Sequence, residues 1–285
     1  MPYSAEISRS SPTAILFLLD QSASMQDPFG GARQRGDAAP SKARVLADVV
    51  NRLLQNLVLR CAKEDGVRDY FHVGVIGYGD RVEPLLTEAE GGELVPISRI
   101  ADRPLRIEER VNEIPDPSGG GGTVRQRVKH PVWFDAHAKN GTPMCQALDL
   151  AAQIVRSWID LHPRDFPPIV LNVTDGEATD GDPLRFSREV RAYATDDGAT
   201  LLFNAHLSSS DEPPLELPDA AAELPDNEYA LQLFQMSSVL PFSMRAGAER
   251  DGFRVTLDTR GFVFNADPGS LVRFLEIGTR PSNLR

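Results

Sequence analysis

Asp20, Ser22 and Ser24 close the apolar run Ala14-Ile15-Leu16-Phe17-Leu18-Leu19. A carboxylate and two hydroxyls at alternating positions of a tight loop are donors that a hard divalent cation takes, because Mg²⁺ prefers oxygen ligands in an octahedron. Asp and Ser are also ordinary residues of a strand-to-loop turn, so this segment alone specifies little. Two further segments add to it. Asn140-Gly141-Thr142-Pro143 opens a helical pattern, and Ile169-Val170-Leu171-Asn172-Val173-Thr174-Asp175 is a second apolar run ending in an acid. A divalent cation facing only two acids and several neutral hydroxyls would remain an electrophile with an open position for a foreign carboxylate.

The elements that must position these residues follow from periodicity. Ser41 predicts an N-cap, and Val45, Leu46, Val49, Val50, Leu53, Leu54, Leu57 and Val58 recur in pairs four apart, the signature of an amphipathic helix. A strand is expected over Phe71–Ile76, broken by Gly77 and Gly79. A helix follows Thr142, with an apolar face through Ile159, and Pro163, Pro167 and Pro168 end it before the strand at Ile169. Further on, the pattern predicts a helix over Leu184–Ala194, strands over Thr200–Ala205 and Phe262–Phe264, and a closing helix capped by Ser270 and running through Ile277. The strands are continuously apolar rather than alternating, so both faces must be covered. This gives a mostly parallel sheet between helices, with Asp20 and Asp175 at the carboxyl ends of strands, where such sheets carry their sites. Pro115–Gly122, with four consecutive glycines, is expected to be irregular and mobile, and Ser208–Asn227, rich in Pro and acids, a long surface loop. Arg125, Arg127 and Lys129 alternate along a hairpin strand, as a solvated face or as a landing strip for an acidic partner.

Composition narrows the function. The 285 residues are 41% hydrophobic and carry a net charge of −11, which opposes general nucleic-acid binding because phosphate neutralisation needs a basic face. The apolar runs are strand-sized, below the roughly 20 residues a bilayer requires, so no membrane association is expected. The start, Met1-Pro2-Tyr3-Ser4, has neither the basic nor the apolar region of a secretory signal, and two unpaired cysteines, Cys61 and Cys145, agree with a reducing compartment. Cys145, close to Thr142 at a helix start that could lower its pKa, is expected instead as a small buried hydrophobe. The five histidines lack zinc-ligand spacing. Asp27 and Asp80 are read as loop acids or as outer groups of the crevice, Asp182 as a helix cap, and Glu177 as a residue bordering the ligand position.

The three segments, Asp20-Gln21-Ser22-Ala23-Ser24, Thr142 and Thr174-Asp175-Gly176, resemble the von Willebrand factor A family, in which such residues converge as a metal-ion-dependent adhesion site. Ala23 stands where the family often has Gly. The resemblance runs from about Thr13 to about Ile277 and is weakest between Val82 and Lys139. It implies a Rossmann-like α/β fold, a mostly parallel central sheet flanked by helices on both faces. The chain would form a single domain over 1–285, with its core at about 13–277 and an insert at about 82–139. It also implies that Ser22, Ser24 and Thr142 touch the metal through hydroxyls while Asp20 and Asp175 hold it directly or through water. Mg²⁺ is the expected ion, with Mn²⁺ or Ca²⁺ as alternatives. Similarity to bacterial stand-alone members grouped with tellurite-resistance-type, stress and signalling clusters implies a cytoplasmic, non-enzymatic scaffold. It would capture an Asp or Glu of a partner protein, with a protein kinase, a phosphatase or a MoxR-type ATPase as candidates. Two alternatives share the metal. A haloacid-dehalogenase-like phosphatase would need a second Asp where Ser22 stands, and an extracellular adhesion domain conflicts with the missing signal and disulfide pattern.

Overall fold

The computed structural model describes residues 2–29, 39–86, 92–115, 123–207 and 213–279. Its central element is the strand β1 (Thr13–Asp20), buried along its whole length. β1 lies parallel to β2 (Phe71–Tyr78) on one side and, with β3 (Val82–Pro84), β4 (Val95–Pro96), β5 (Arg106–Pro115) and β6 (Thr123–Val132) intervening in sequence, to β7 (Ile169–Thr174) on the other. Beyond β7 come β8 (Leu201–Leu207), β9 (Leu215–Glu216) and β10 (Phe262–Ala266), and the sheet runs β9-β10-β8-β7-β1-β2-β3, with β4 also on β2. The five strands β10, β8, β7, β1 and β2 are mutually parallel; β3, β4 and β9 are short antiparallel additions at the edges.

Alternate residues of β1 enter different cores, which explains the unbroken apolar run. Ile15, Phe17 and Leu19 pack with helices α1 (Lys42–Cys61), α2 (Ile97–Asp102), α6 (Phe242–Arg250) and α7 (Pro268–Thr279). Leu16 and Leu18 pack with α3 (Met144–Leu161), α4 (Pro183–Ala192) and α5 (Glu228–Met236) on the opposite face. Full burial of a Leu, Ile or Phe side chain contributes about 1.5–3 kcal/mol, so a strand buried on both faces anchors the molecule. The mostly parallel sheet flanked by helices on both faces is the expected one.

Several local expectations are corrected. β2 continues through Gly77 to Tyr78, because Gly77 is where the Gln21 side chain crosses the strand; a Cβ there would collide with Gln21 Oε1. The closing helix is capped by Asp267 rather than Ser270: Asp267 Oδ1 accepts from Ser270 N at 2.8 Å, and Ser270 lies in the first turn. In the described part of the expected loop 208–227, β9 pairs with β10 and a 3₁₀ turn covers Ala221–Glu223. Of the expected irregular stretch Pro115–Gly122, residues 116–122 lie outside those described. Helices α5 and α6 and strand β5 had no counterpart in the periodicity reading.

β5 and β6 form a separate two-stranded antiparallel ribbon, paired from Arg106↔Val132 to Pro115↔Thr123. Its root is fixed to α1. Asn51, buried, accepts from Trp133 N at 2.8 Å and donates to Phe134 O at 3.0 Å and to Ala47 O at 2.8 Å. Arg110 pairs with Asp48 of the same helix at 2.8 Å. The basic residues of β6 do not form an uninterrupted positive face, since Glu109 stands across from Lys129 and lies 3.7 Å from Arg127.

Candidate metal centre

Parallel register brings the two acid-bearing strand ends together. Leu19 is level with Val173, so Asp20 abuts Thr174 and Asp175 follows immediately beyond. The chain leaves β1 in a tight turn held by Asp20 itself: Oδ1 accepts from Ser22 N at 2.7 Å. Its Oδ2 accepts from Thr174 Oγ1 at 2.6 Å. Burial pushes the Asp20 carboxyl up to about 6, against the opposing hydrogen bonds of Ser22 and Thr174, and the charge of Asp175 adds to the rise. This is a carboxylate held in a low-dielectric position and lacking a full counter-charge.

The remaining expected donors converge on it. Ser22 Oγ and Ser24 Oγ are 3.1 Å apart, and Ser24 Oγ donates to Asp175 Oδ1 at 2.7 Å. Thr142 is buried at the mouth of α3, and its loop is tied to the segment after Asp175 by two bonds, Thr142 N to Thr179 Oγ1 and Thr179 N to Thr142 O, each 3.0 Å. Gly176 leaves the space between these hydroxyls open: a Cβ there would lie 3.8 Å from Thr142 Oγ1 and 4.0 Å from Ser24 Oγ. Asp20, Ser22, Ser24, Thr142 and Asp175 are therefore all brought to one place.

One residue there was missed by the sequence reading. Lys42, the first residue of α1, is buried, and its Nζ lies 2.7 Å from Asp175 Oδ2, with Asp27 more distant at 4.0 Å and largely exposed. A lysine following an N-cap serine reads as solvent-facing, and nothing in its spacing signals otherwise; only the folded register of α1 against β7 buries it. Ser41 does cap α1, accepting from Arg44 N at 3.2 Å. Asp180 was also missed as a cap: its two oxygens accept from Cys145 N and Gln146 N at 3.0 Å each and so hold the start of α3, where Pro143 offers no side-chain bond. Asp182 caps α4 as expected, accepting from Leu184 N at 2.9 Å. Glu177 is exposed beside the site, and Asp80 pairs with Lys139 at 3.6 Å. Burial pushes the Cys145 thiol up to about 12, with Asp180 adding to it, so it behaves as a buried hydrophobe rather than a nucleophile.

The donor set fits a hard cation. All five side chains offer oxygen, Thr142 Oγ1 makes no hydrogen bond among the described residues, and the gap at Gly176 lies between hydroxyls. Among the described residues no three His, Cys, Asp or Glu side chains come together as a metal cluster, so a cation here would depend on the hydroxyls. Two carboxylates against one ammonium leave the site with one net negative charge.

No protein-family model and no curated protein matches the sequence. Among solved structures, the chain is similar to proximal thread matrix protein 1 from the mussel byssus, with a zinc-occupied MIDAS motif, at 13% identity and a TM-score of 0.40, over 82% of this chain and 43% of that one. It is also similar to the pilus adhesin SpaC from Lactobacillus rhamnosus GG in an open conformation, at 10% identity and a TM-score of 0.45, over 98% and 30%. The pilus adhesin RrgA from Streptococcus pneumoniae matches at 12% identity and a TM-score of 0.29, over 61% and 22%. The chain thus spans less than half the length of each. Likenesses this distant carry no argument about the site.

Proposed function

We propose that the chain is a metal-dependent protein-binding module in which Ser22, Ser24 and Thr142, through hydroxyls, and Asp20 and Asp175, directly or through water, hold Mg²⁺. The observation that carries this reading is the meeting of the two strand-end acids with hydroxyls at one crevice: Ser24 on Asp175, Thr174 on Asp20, and Thr142 Oγ1 without a hydrogen bond beside them. A bound Mg²⁺ supplies an electrophile that a partner's Asp or Glu carboxylate completes. Lys42 and the hydroxyls keep protein charge low around it, so the attraction for that carboxylate exceeds that of an exposed ion pair. The net charge of −11 slows an acidic partner's approach and makes the association sensitive to salt. The finer setting, a cytoplasmic signalling or stress assembly with a kinase, phosphatase or MoxR-type ATPase as partner, rests on the family resemblance alone. Among the described residues no helix is long and apolar enough to cross a membrane.

The reading of a non-enzymatic module is supported by Ser22 standing where a phosphatase of this topology would need its acid/base carboxylate. Titration calorimetry with Mg²⁺ and Mn²⁺ tests the site: Asp20→Ala should abolish binding and Thr142→Ala weaken it, both with the fold retained. Unchanged affinity in Asp20→Ala would reject the site. Turnover of a generic phosphomonoester, lost in Asp20→Ala, would replace the binding reading with the enzymatic one.

A further inference from the structure

At the end of the sheet away from the acids lies a cavity of about 830 Å³ between the N-terminal segment, the start of β8 and helix α6. Thr200 precedes β8 and is level with Pro168, while Asp20 is level with Thr174, so the cavity and the acid-bearing edge are six residues apart along the strands, roughly 20 Å. The volume is that of a small-molecule site.

Its lining combines two chemistries. Leu240, Pro241 and Phe242 offer apolar surface, and at the mouth Phe242 and Val239 are 77% and 42% exposed with no packing reason for it. Arg191, Arg245 and Arg250 bring three guanidinium groups, yet among the described residues no Asp or Glu lines the cavity, in a chain with 41 acids against 30 bases. Their recorded bonds are only to backbone carbonyls, Ser187 O, Leu257 O and Ala246 O respectively. Arg191 is half-buried, and burial followed by the like charges of Arg260 and Arg188 disfavours its charged form.

Two residues of the lining, Thr200 and Ser243, carry hydroxyl oxygens that are shut off from the cavity. Thr200 Oγ1, on a residue 1% exposed, and Ser243 Oγ are buried with no hydrogen-bond partner. Ser243 lies in the first turn of α6, where the helix dipole favours negative charge. The far wall is built rather than draped: Ser4 N and Ala5 N donate to Asp197 at 2.9 and 3.1 Å, and the Tyr3 ring lies on Gly198, where a Cβ would approach it to 2.8 Å.

We propose that this cavity binds a small amphipathic carboxylate, its hydrocarbon body against Leu240, Pro241 and Phe242 and its head at the guanidinium groups of Arg191 and Arg245. The apolar walls select the body, and the guanidinium groups, bonded only to backbone carbonyls, select the charge. The site is independent of the acid-bearing edge.

Titration calorimetry with decanoate, below its aggregation concentration, tests this on the full chain, with 1-decanol as the uncharged body and inorganic phosphate as the charge without a body. Decanoate should saturate one site per chain, and both controls should bind at least tenfold more weakly. Arg245→Gln should weaken decanoate at least fivefold, as should Arg191→Gln, with the melting temperature of each variant checking that it is folded; Asp20→Ala should not change it. Failure of decanoate to saturate, equal binding of 1-decanol, or undiminished affinity in folded Arg245→Gln and Arg191→Gln variants would overturn the proposal.

Discussion

Lys42 is the residue whose chemistry is most at odds with its address in the sequence. A buried ammonium 2.7 Å from a buried carboxylate survives desolvation only through that partner. Replacing it by a similar-sized apolar residue leaves Asp175 as a buried charge held by Ser24 alone. Lys42→Met should therefore destabilise the protein in EDTA by about 3–5 kcal/mol, the cost of breaking a buried pair. The same change removes a competing cation, so Mg²⁺ should bind more tightly and recover most of the loss. Urea denaturation of both forms, with and without Mg²⁺, measures the two effects; equal destabilisation in both conditions would show that Lys42 does not share Asp175 with the metal.

Among the elements, β1, β7, α1 and α3 were legible because each carries a strong physical signal: unbroken apolar runs for strands covered on both faces, and paired apolar positions four apart for the helices. Asp20, Ser22, Ser24 and Asp175 were legible with them, since a strand's end is fixed by where its apolar run stops. β5 carried no such signal. Its Ile107 and Val111 alternate with charged residues and are exposed, because the ribbon packs no core of its own. The pin at its root was equally hidden, for Asn51 sits inside an amphipathic helix and its partners Trp133 and Phe134 are more than eighty residues away. Asn51→Ala leaves Trp133 N and Phe134 O buried and unbonded, which should cost about 2–4 kcal/mol from the cost of each orphaned group. Chemical denaturation gives that figure. Hydrogen exchange should show the loss of protection concentrated at Val132–Phe134, whereas a uniform loss over the chain would mean that Asn51 serves the core and not the ribbon.

For the molecule as a whole, pH sets two buried groups against each other. Burial pushes His206, at the end of β8, down to about 4 from 6.5, while Asp175 and Lys42 act on it with opposite signs. It accepts a bond from Asn265 N at 3.2 Å and stacks on Phe264 at 4.4 Å. Between pH 6.5 and 4 the unfolded chain takes up this proton and the folded chain does not, so stability falls on acidification, by about 3 kcal/mol in full. Asp20, raised from 3.8 to about 6, has the opposite sign: the folded form binds its proton first and gains stability as pH falls through that window. The stability difference between wild type and His206→Asn cancels the Asp20 contribution, and thermal melts should show it shrinking steadily from pH 7 to pH 4.5; a constant difference would place the imidazole in contact with water. The ribbon has a mechanical consequence of another kind. It is about 30 Å long, clamped over its inner half to the flank of α1 by Asn51 and Arg110, and its root strand leads on through Trp133 and Phe134 to Lys139 and Asn140, which bond the turn at Gln21 and Ala23. A load taken at its outer end is delivered as torque into the helix that begins with Lys42 and as tension along the segment that grips the Asp20 turn, so both of its anchorages end at the same crevice.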